Sequence, residues 1–470
     1  MSVKHRFLVL LLFLCVFVSS AFGETRALLI ACHDFLHLPS LGDAVSGNLT
    51  MLSETMQHAG LPDKNIRIED GTIGDIPKLQ QCISNAFHSS NDGDLSIIYI
   101  CTHGFDENNG HLLLSDGRHE EALTGPALFD LLAPIKGDVL VLLDACHSGA
   151  LIGHGADALP VHVPENVHVI TSSLGNESAW YYDHRRLSSG AISYFSQAFC
   201  TGLGLFGHLE ADTDGDDAVS LWEISSWIRQ NVASSTCQVL SSSLHTLLLP
   251  VCTDSTRSKP VEGFFCGSQL ISSVNTDFRF SFYVTREAQI EYRLTPFENG
   301  NWNWGSPIVI RDSETTAETG RGTKTRTLTI SPENRNSTPY LIFQIFAYED
   351  SVPVLCGERL LAMQPDNASA SLTLSVSPSF NLPAEIPLAL TITPPSIYRI
   401  SIYDETDSEI RRLHFGELTR PSSENVQYLI WDGRDDSGAL VSEGSYTIEI
   451  ISLFNGRRLQ ISQDVHLRRR

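Results

Sequence analysis

The sequence predicts an α/β unit, a mostly parallel sheet with helices on both faces, followed by two β-sandwich units. Two observations carry this prediction. From Thr25 to about Asp254, short runs of Ile, Leu and Val bounded by polar or glycine residues alternate with segments of helical spacing. Beyond Cys252 helical spacing disappears, and a chain rich in Ser, Thr, Pro and Asn alternates apolar with polar residues one by one.

The elements follow in order. Lys4, His5 and Arg6 precede an apolar run from Phe7 to Val18, then Ser19, Ser20 and Ala21-Phe22-Gly23, which reads as a signal peptide over 1–23. The run is shorter than the ~20 residues that cross a bilayer. A secreted or periplasmic chain is therefore expected, with no transmembrane segment once the leader is removed. Ala27 to Cys32, Leu95 to Cys101, Asp138 to Leu143 and Val167 to Thr171 read as buried parallel strands. Asp43 to Ala59, Ile76 to Ser89, Gly125 to Leu132 and Gly190 to Leu203 read as helices between them. The repeating order implies an open sheet with its ligand crevice at the carboxyl ends of the strands, over residues 24–255. Phe278 to Phe282, Gln289 to Leu294, Tyr340 to Tyr348 and Ser371 to Val376 read as half-buried strands. They define one β unit over 263–366 and a second over 369–470, divided near Gln364-Pro365-Asp366-Asn367.

Composition narrows the function. The 470 residues carry 32 Lys plus Arg against 55 Asp plus Glu, a net charge of -23, which argues against nucleic-acid binding. Of ten Cys, nine remain after the leader. An odd count in an exported chain points to one thiol kept for chemistry and eight that could pair, while Cys32, Cys82 and Cys101 read equally well as small core residues.

Two strands end in chemistry-bearing residues. Leu95 to Cys101 runs into Thr102-His103-Gly104, and Val139 to Leu143 into Asp144-Ala145-Cys146-His147-Ser148-Gly149. If the strands are parallel neighbours, His103 and Cys146 meet at one sheet edge. A thiol needs a nearby base or cation to become thiolate, and the imidazole would supply it. Gly104 and Gly149 would leave the backbone open to a substrate, and the amides of Gly104 and Cys146 could donate to an oxyanion.

This pair of motifs resembles the caspase-like cysteine peptidases, and among them the metacaspases and their bacterial relatives. Leu41-Gly42-Asp43-Ala44, Glu177-Ser178-Ala179 and Ser189 to Phe195 match further, so the resemblance spans roughly residues 25 to 250. It implies a caspase-like three-layer sandwich and an endopeptidase in which Cys146 and His103 need no cofactor for the chemistry. It also implies that Asp43 and Asp144 line an acidic pocket for the Arg or Lys before the cut, since paired carboxylates in a partly dry crevice select a cation. Cys101 departs from the small hydroxyl or glycine common there, and His147 belongs to the motif as a structural residue. No Lys or Arg lies between Cys146 and Asn166, so a pocket for basic residues predicts an active single chain, with Arg185-Arg186 the next basic pair.

A second constellation runs from Asp212 to Glu223. Asp212, Asp214, Asp216, Ala218, Ser220 and Glu223 follow the spacing of a calcium loop, with Asp217 where the template has glycine. The competing reading is an acidic loop capping the helix Trp222 to Ile228. Near the carboxyl end, Trp431-Asp432-Gly433-Arg434-Asp435-Asp436-Ser437-Gly438 and Gly444 to Ile448 resemble the immunoglobulin-like module first named from flagellar hook-capping proteins, which implies a β-sandwich. The expected partners are a protein or peptide substrate with a basic residue and a cell-surface partner reached through the sandwiches. Two alternatives stand: a non-catalytic peptide-binding or surface-assembly protein on the same fold, and a legumain-like peptidase, which would carry Glu at the position of Asp144.

Overall fold

The computed structural model describes residues 23–469 apart from 154–160, 183–190, 253–257, 312–321, 350–351, 366–367, 383–385, 422–425, 437–438 and 455–456. The leader up to residue 22, the Arg185-Arg186 pair and Asp366-Asn367 of the expected boundary lie outside the described residues.

The first part is built on a six-stranded sheet. In chain order come β1 (Thr25–Ala31), α1 (Asp43–His58), β2 (Ile66–Asp70), α2 (Ile76–Phe87) and β3 (Leu95–Cys101). Three short strands follow, β4 (Gly104–Phe105), β5 (His111–Ser115) and β6 (Glu120–Thr124), then α3 (Gly125–Leu132), β7 (Asp138–Asp144) and β8 (Val167–Thr171). Last are β9 (Tyr181–Tyr182), β10 (Ile192–Ser193), α4 (Tyr194–Gly202), α5 (Leu221–Asn231) and β11 (Gln238–Leu240). The strand order is β11-β8-β7-β3-β1-β2, parallel throughout except for β11, which runs antiparallel to β8.

Period-two alternation divides the central strands between two cores. Ile97, Tyr99, Leu140 and Leu142 pack with Leu49 and Leu52 of α1, Phe195 and Phe199 of α4 and Ile224 of α5. Ile98, Ile100, Val141 and Leu143 pack on the other face with Leu79 and Ile83 of α2 and Leu128 and Phe129 of α3. The helices start where side chains satisfy their first amides: Asp75 accepts from Lys78 N, Thr124 from Ala127 N, Ser193 from Ser196 N, and Ser220 with Glu223 forms a reciprocal capping box.

Some elements differ from the expectation. β2 is an edge strand whose Ile68 stays exposed, so it has no apolar run to announce it. The helix expected from Gly190 begins at Tyr194, because Ile192 and Ser193 pair with Tyr182 and Tyr181 before Ser193 caps the helix. All nine described cysteines are free thiols, against the expectation of up to eight that could pair. They are spread over separate cores: Cys101, Cys200 and Cys237 in one, Cys82 across the sheet and Cys356 beyond it.

Beyond Val261 the described residues are mostly strand, with a short helix at Pro332–Ser337. Val261–Cys266, Asp277–Val284 and Gly322–Thr329 form one sheet, and Gln289–Glu298, Tyr340–Glu349 and Val352–Met363 the body of another. Their inward residues Phe278, Phe280, Phe282, Tyr292 and Phe343 share one core. In the last part Ile386–Thr393 and Val426–Trp431 belong to one sheet and Ile397–Tyr403, Gly444–Phe454 and Arg457–Arg469 to the next, around a fully buried Trp431. Among the described residues no helix is long and apolar enough to cross a membrane.

Candidate active site

β3 and β7 pair in parallel with Leu95 opposite Asp138 and Cys101 opposite Asp144. His103 and Cys146 each lie two residues past their strand, so both leave the sheet at its carboxyl edge. The two segments touch. A Cβ placed on Gly104 would lie 2.0 Å from the Cys146 carbonyl oxygen, and one on Gly149 would lie 2.8 Å from Ser173 O. These glycines therefore allow close packing between strand ends, rather than opening the backbone to substrate as expected.

His103 is half-buried, with its ring 4.6 Å from that of Phe35. Its Nε2 lies 3.0 Å from the carbonyl oxygen of Pro39, on the loop after β1. A carbonyl only accepts, so Nε2 is the nitrogen that donates here, which in a neutral ring leaves the lone pair on Nδ1. Sequence reasoning missed Pro39, because a backbone carbonyl leaves no trace in residue type.

The Cys146 sulfur lies 3.7 Å from Ala179 O. Burial pushes the thiol above its ordinary range. Contacts with the Ala179 backbone and the Ser178 side chain draw it partly back, and the charge of Asp144 raises it further. The net direction is upward, so the surroundings of Cys146 favour the thiol over the thiolate. His147 is structural: its φ is +58°, its N–H donates to Glu177 O at 2.8 Å, and its Nδ1 lies 3.0 Å from Gly175 O.

Two serines just past β8 hold the Asp144–Gly149 turn. Ser172 Oγ accepts from Ala145 N and donates to Ala145 O, both at 3.1 Å. Ser173 Oγ donates to Ala145 O at 2.9 Å and accepts from Ser148 N at 3.2 Å. They went unnoticed, although a Ser-Ser pair directly after a buried strand could have pointed to them. Leu113 N donates to His103 O at 2.9 Å, which makes the adjacent Gly104–Leu112 pair the non-bonded one and turns Gly104 N–H out of the ladder. Among the described residues Cys146 N–H donates to no other residue.

Asp144 is only 4% exposed. Its Oδ2 accepts from Tyr99 Oη at 2.9 Å, Ser196 Oγ at 2.8 Å and Ser193 Oγ. Burial raises the carboxyl, these hydroxyls oppose the rise, and the amino end of α4 faces the same charge. Among the described residues no Lys or Arg pairs with it. Its oxygens stay covered by these hydroxyls, unlike an open pocket wall. Asp43 opens α1, and its side chain lies outside the described residues. The Ser178 side chain beside Cys146 also lines a cavity of about 130 Å³ walled by Trp180 and Trp302.

In the acidic loop, one carboxylate oxygen each from Asp212, Asp214 and Asp216 converges to within 4.8 Å. Asp217 takes the left-handed conformation at φ +62°, as the template's glycine would. Burial and then the charges of Asp216 and Glu223 raise the Asp214 carboxyl. Glu223 is engaged locally: Oε1 accepts from Thr213 N and Oγ1, and Oε2 from Ser220 N and Oγ. Ser220 is the helix cap. Three carboxylates thus suit a hard cation, and the capping reading holds for Ser220 and Glu223 at the same time.

No family model matches the chain, and no curated protein matches it by sequence. Among solved structures, caspase-1 from Spodoptera frugiperda is 14% identical at a TM-score of 0.33, with 48% of this chain covering 88% of that one. A structural-genomics target protein from Geobacter sulfurreducens is 16% identical at a TM-score of 0.32, with 46% of this chain covering 93% of that one. The functional reading rests on the geometry of the site.

Two outcomes follow from that geometry. Gly104→Ala should lower the melting temperature and expose Cys146 to alkylation, because the added methyl group collides with the Cys146 carbonyl; a variant matching the parent in both would contradict the packing. The rate of Cys146 alkylation by iodoacetamide should still be climbing at pH 9, since only the thiolate reacts and burial favours the thiol. A plateau near pH 7 would mean a thiolate poised at rest.

Proposed function

We propose that the chain is an exported caspase-like cysteine endopeptidase that cuts after Arg or Lys. The observation that carries this reading is the parallel β3–β7 register, with an imidazole oriented by Pro39 O past one strand and a thiol past the other. Cys146 Sγ attacks the peptide carbonyl while its proton passes to His103 Nδ1, which matches a thiol shifted upward. The amides of Gly104 and Cys146 receive the oxyanion. The C–N bond then breaks, the leaving amine takes the proton from His103, and water cleaves the thioester by the reverse transfers. No cofactor takes part.

Preference for a basic side chain would come from the Asp144 charge, which hydroxyls solvate and no cation neutralises, aided by Asp43 at the start of α1. The unit 24–255 would carry the chemistry, with a three-layer arrangement, and two β-sandwich units over 263–366 and 369–470 would meet a cell-surface partner. Asp212, Asp214 and Asp216, with Ala218 as a further ligand, would hold Ca²⁺ away from the reacting groups, while Ser220 and Glu223 serve as the cap of α5. The rival reading is a non-catalytic peptide-binding or surface-assembly protein on the same fold.

A positional-scanning peptide library should give cleavage after Arg and Lys. Cys146→Ala and His103→Ala should each cut kcat/KM at least ~10²-fold with unchanged circular dichroism. Turnover that survives Cys146→Ala sinks the peptidase reading, and a wild-type chain that binds library peptides without cutting them favours the rival. Calorimetric titration with Ca²⁺ should show one site, weakened about tenfold or more in Asp214→Asn; identical isotherms for the two proteins would remove the cation from the reading.

A further inference from the structure

We propose that Arg420, in the last β unit, is a positioning residue for the Cys146 loop, acting through the segment Val232–Thr236 on which Glu177 of that loop is seated. The proposal rests on the peptidase reading of the same site and deepens it.

The segment Val232–Thr236 leaves the carboxyl end of α5, where backbone carbonyls lack helical partners and need donors from elsewhere. Its five residues are held by four side chains from different parts of the chain. Arg420 Nη1 donates to Val232 O at 2.9 Å and to Ser235 O at 3.0 Å, and its Nη2 donates to Arg229 O. Ala233 N donates to Glu358 Oε1 at 2.6 Å, and Ser234 O accepts from Trp302 Nε1 at 3.2 Å. Thr236 N donates to Glu177 Oε2 at 2.7 Å, and its Oγ1 to Glu177 Oε1 at 3.2 Å. A guanidinium fork can bridge several carbonyls at once, and a cation suits the negative end of a helix.

Glu177 continues the chain of contacts toward the thiol. Its Oε2 also accepts from Leu174 N at 3.1 Å, and its own carbonyl accepts from His147 N at 2.8 Å. Two residues on, Ala179 O lies against the Cys146 sulfur. The geometry therefore joins Arg420 to Cys146 through backbone groups that are nearly all enclosed: Ala233, Ser234 and Ser235 are each 2% exposed. Glu177, half-buried, is raised to about 7 by loss of solvent around its carboxyl, and the Arg420 charge is among the groups that oppose the rise. Without Arg420, three carbonyls lose their donor, the 232–236 segment relaxes, and Glu177 loses both a firm amide partner and a countercharge. The last β unit is then part of the catalytic architecture and not a detachable anchor.

The test uses the full chain in four forms: wild type, Arg420→Ala, Arg420→Lys and, as a control, Arg457→Ala on an exposed strand of the same unit. Hydrogen exchange over residues 172–180 and the rate of Cys146 alkylation are measured alongside kcat and KM for an Arg peptide. Arg420→Ala should speed both exchange and alkylation about tenfold and lower kcat about tenfold with KM changed less than twofold, the scale expected for lost charge-assisted hydrogen bonds. Arg420→Lys should recover part of each, since an ammonium cannot bridge all three carbonyls, and Arg457→Ala should match wild type. Should Arg420→Ala fail to fold, the Lys variant carries the test. Wild-type exchange and alkylation in a folded Arg420 variant overturn the proposal. Exchange and alkylation need no turnover, so a protein inactive in every form would refute the peptidase reading and leave this one to be judged on those two measurements.

Discussion

Everything chemical in this chain depends on how β3 lies beside β7. Parallel neighbours end at the same edge, so residues a fixed step beyond each strand are delivered to one place without any contact between them in sequence. The register is tightly held. Both strands are buried on both faces, and a slip of one residue would exchange the two cores that Ile97 and Ile98 separately fill. Tyr99 adds a cross-strand bond to Asp144, and Gly104 seals the ends against the Cys146 carbonyl.

Around that junction the site is assembled mostly from neutral groups. Ser172 and Ser173 hold the Cys146 turn, three hydroxyls solvate Asp144, and a carbonyl orients His103. Hydroxyls and carbonyls cost less to bury than ions and leave fewer unpaired charges when a partner moves. The arrangement also accounts for a thiol shifted upward: burial and the Asp144 charge both favour its protonated form. Charge is instead concentrated behind the site, where Glu177 and Glu358, both raised to about 7 by burial, sit within reach of Arg420.

The α/β part was well marked in the sequence because its strands are buried on both faces and its helices carry caps. Leu95 to Cys101 reads as a buried strand from its unbroken apolar run, whereas Ser220 and Glu223, read as calcium ligands, prove to cap α5. The weakly marked elements are those with little to bury. β2 is half-exposed, and β4, β9 and β10 are too short to show a period. The acidic pocket was read from two residues in a motif, and the fold covers Asp144 with Ser193 and Ser196 from an element far along the chain.

Residue identity and spacing by themselves determined the four central strands of the first sheet and the helices beside them, the change to β texture after Cys252, and which thiol and imidazole stand at strand ends. These follow from local periodicity and from motifs a few residues long. Only the tertiary structure decided what those groups touch: Pro39 O on His103, the serines under Cys146, the cover over Asp144, and the contact of Arg420 with the Val232–Thr236 segment. Those contacts join positions as far as 188 residues apart, and several use backbone carbonyls that every residue possesses, so side-chain patterns along the chain record them poorly.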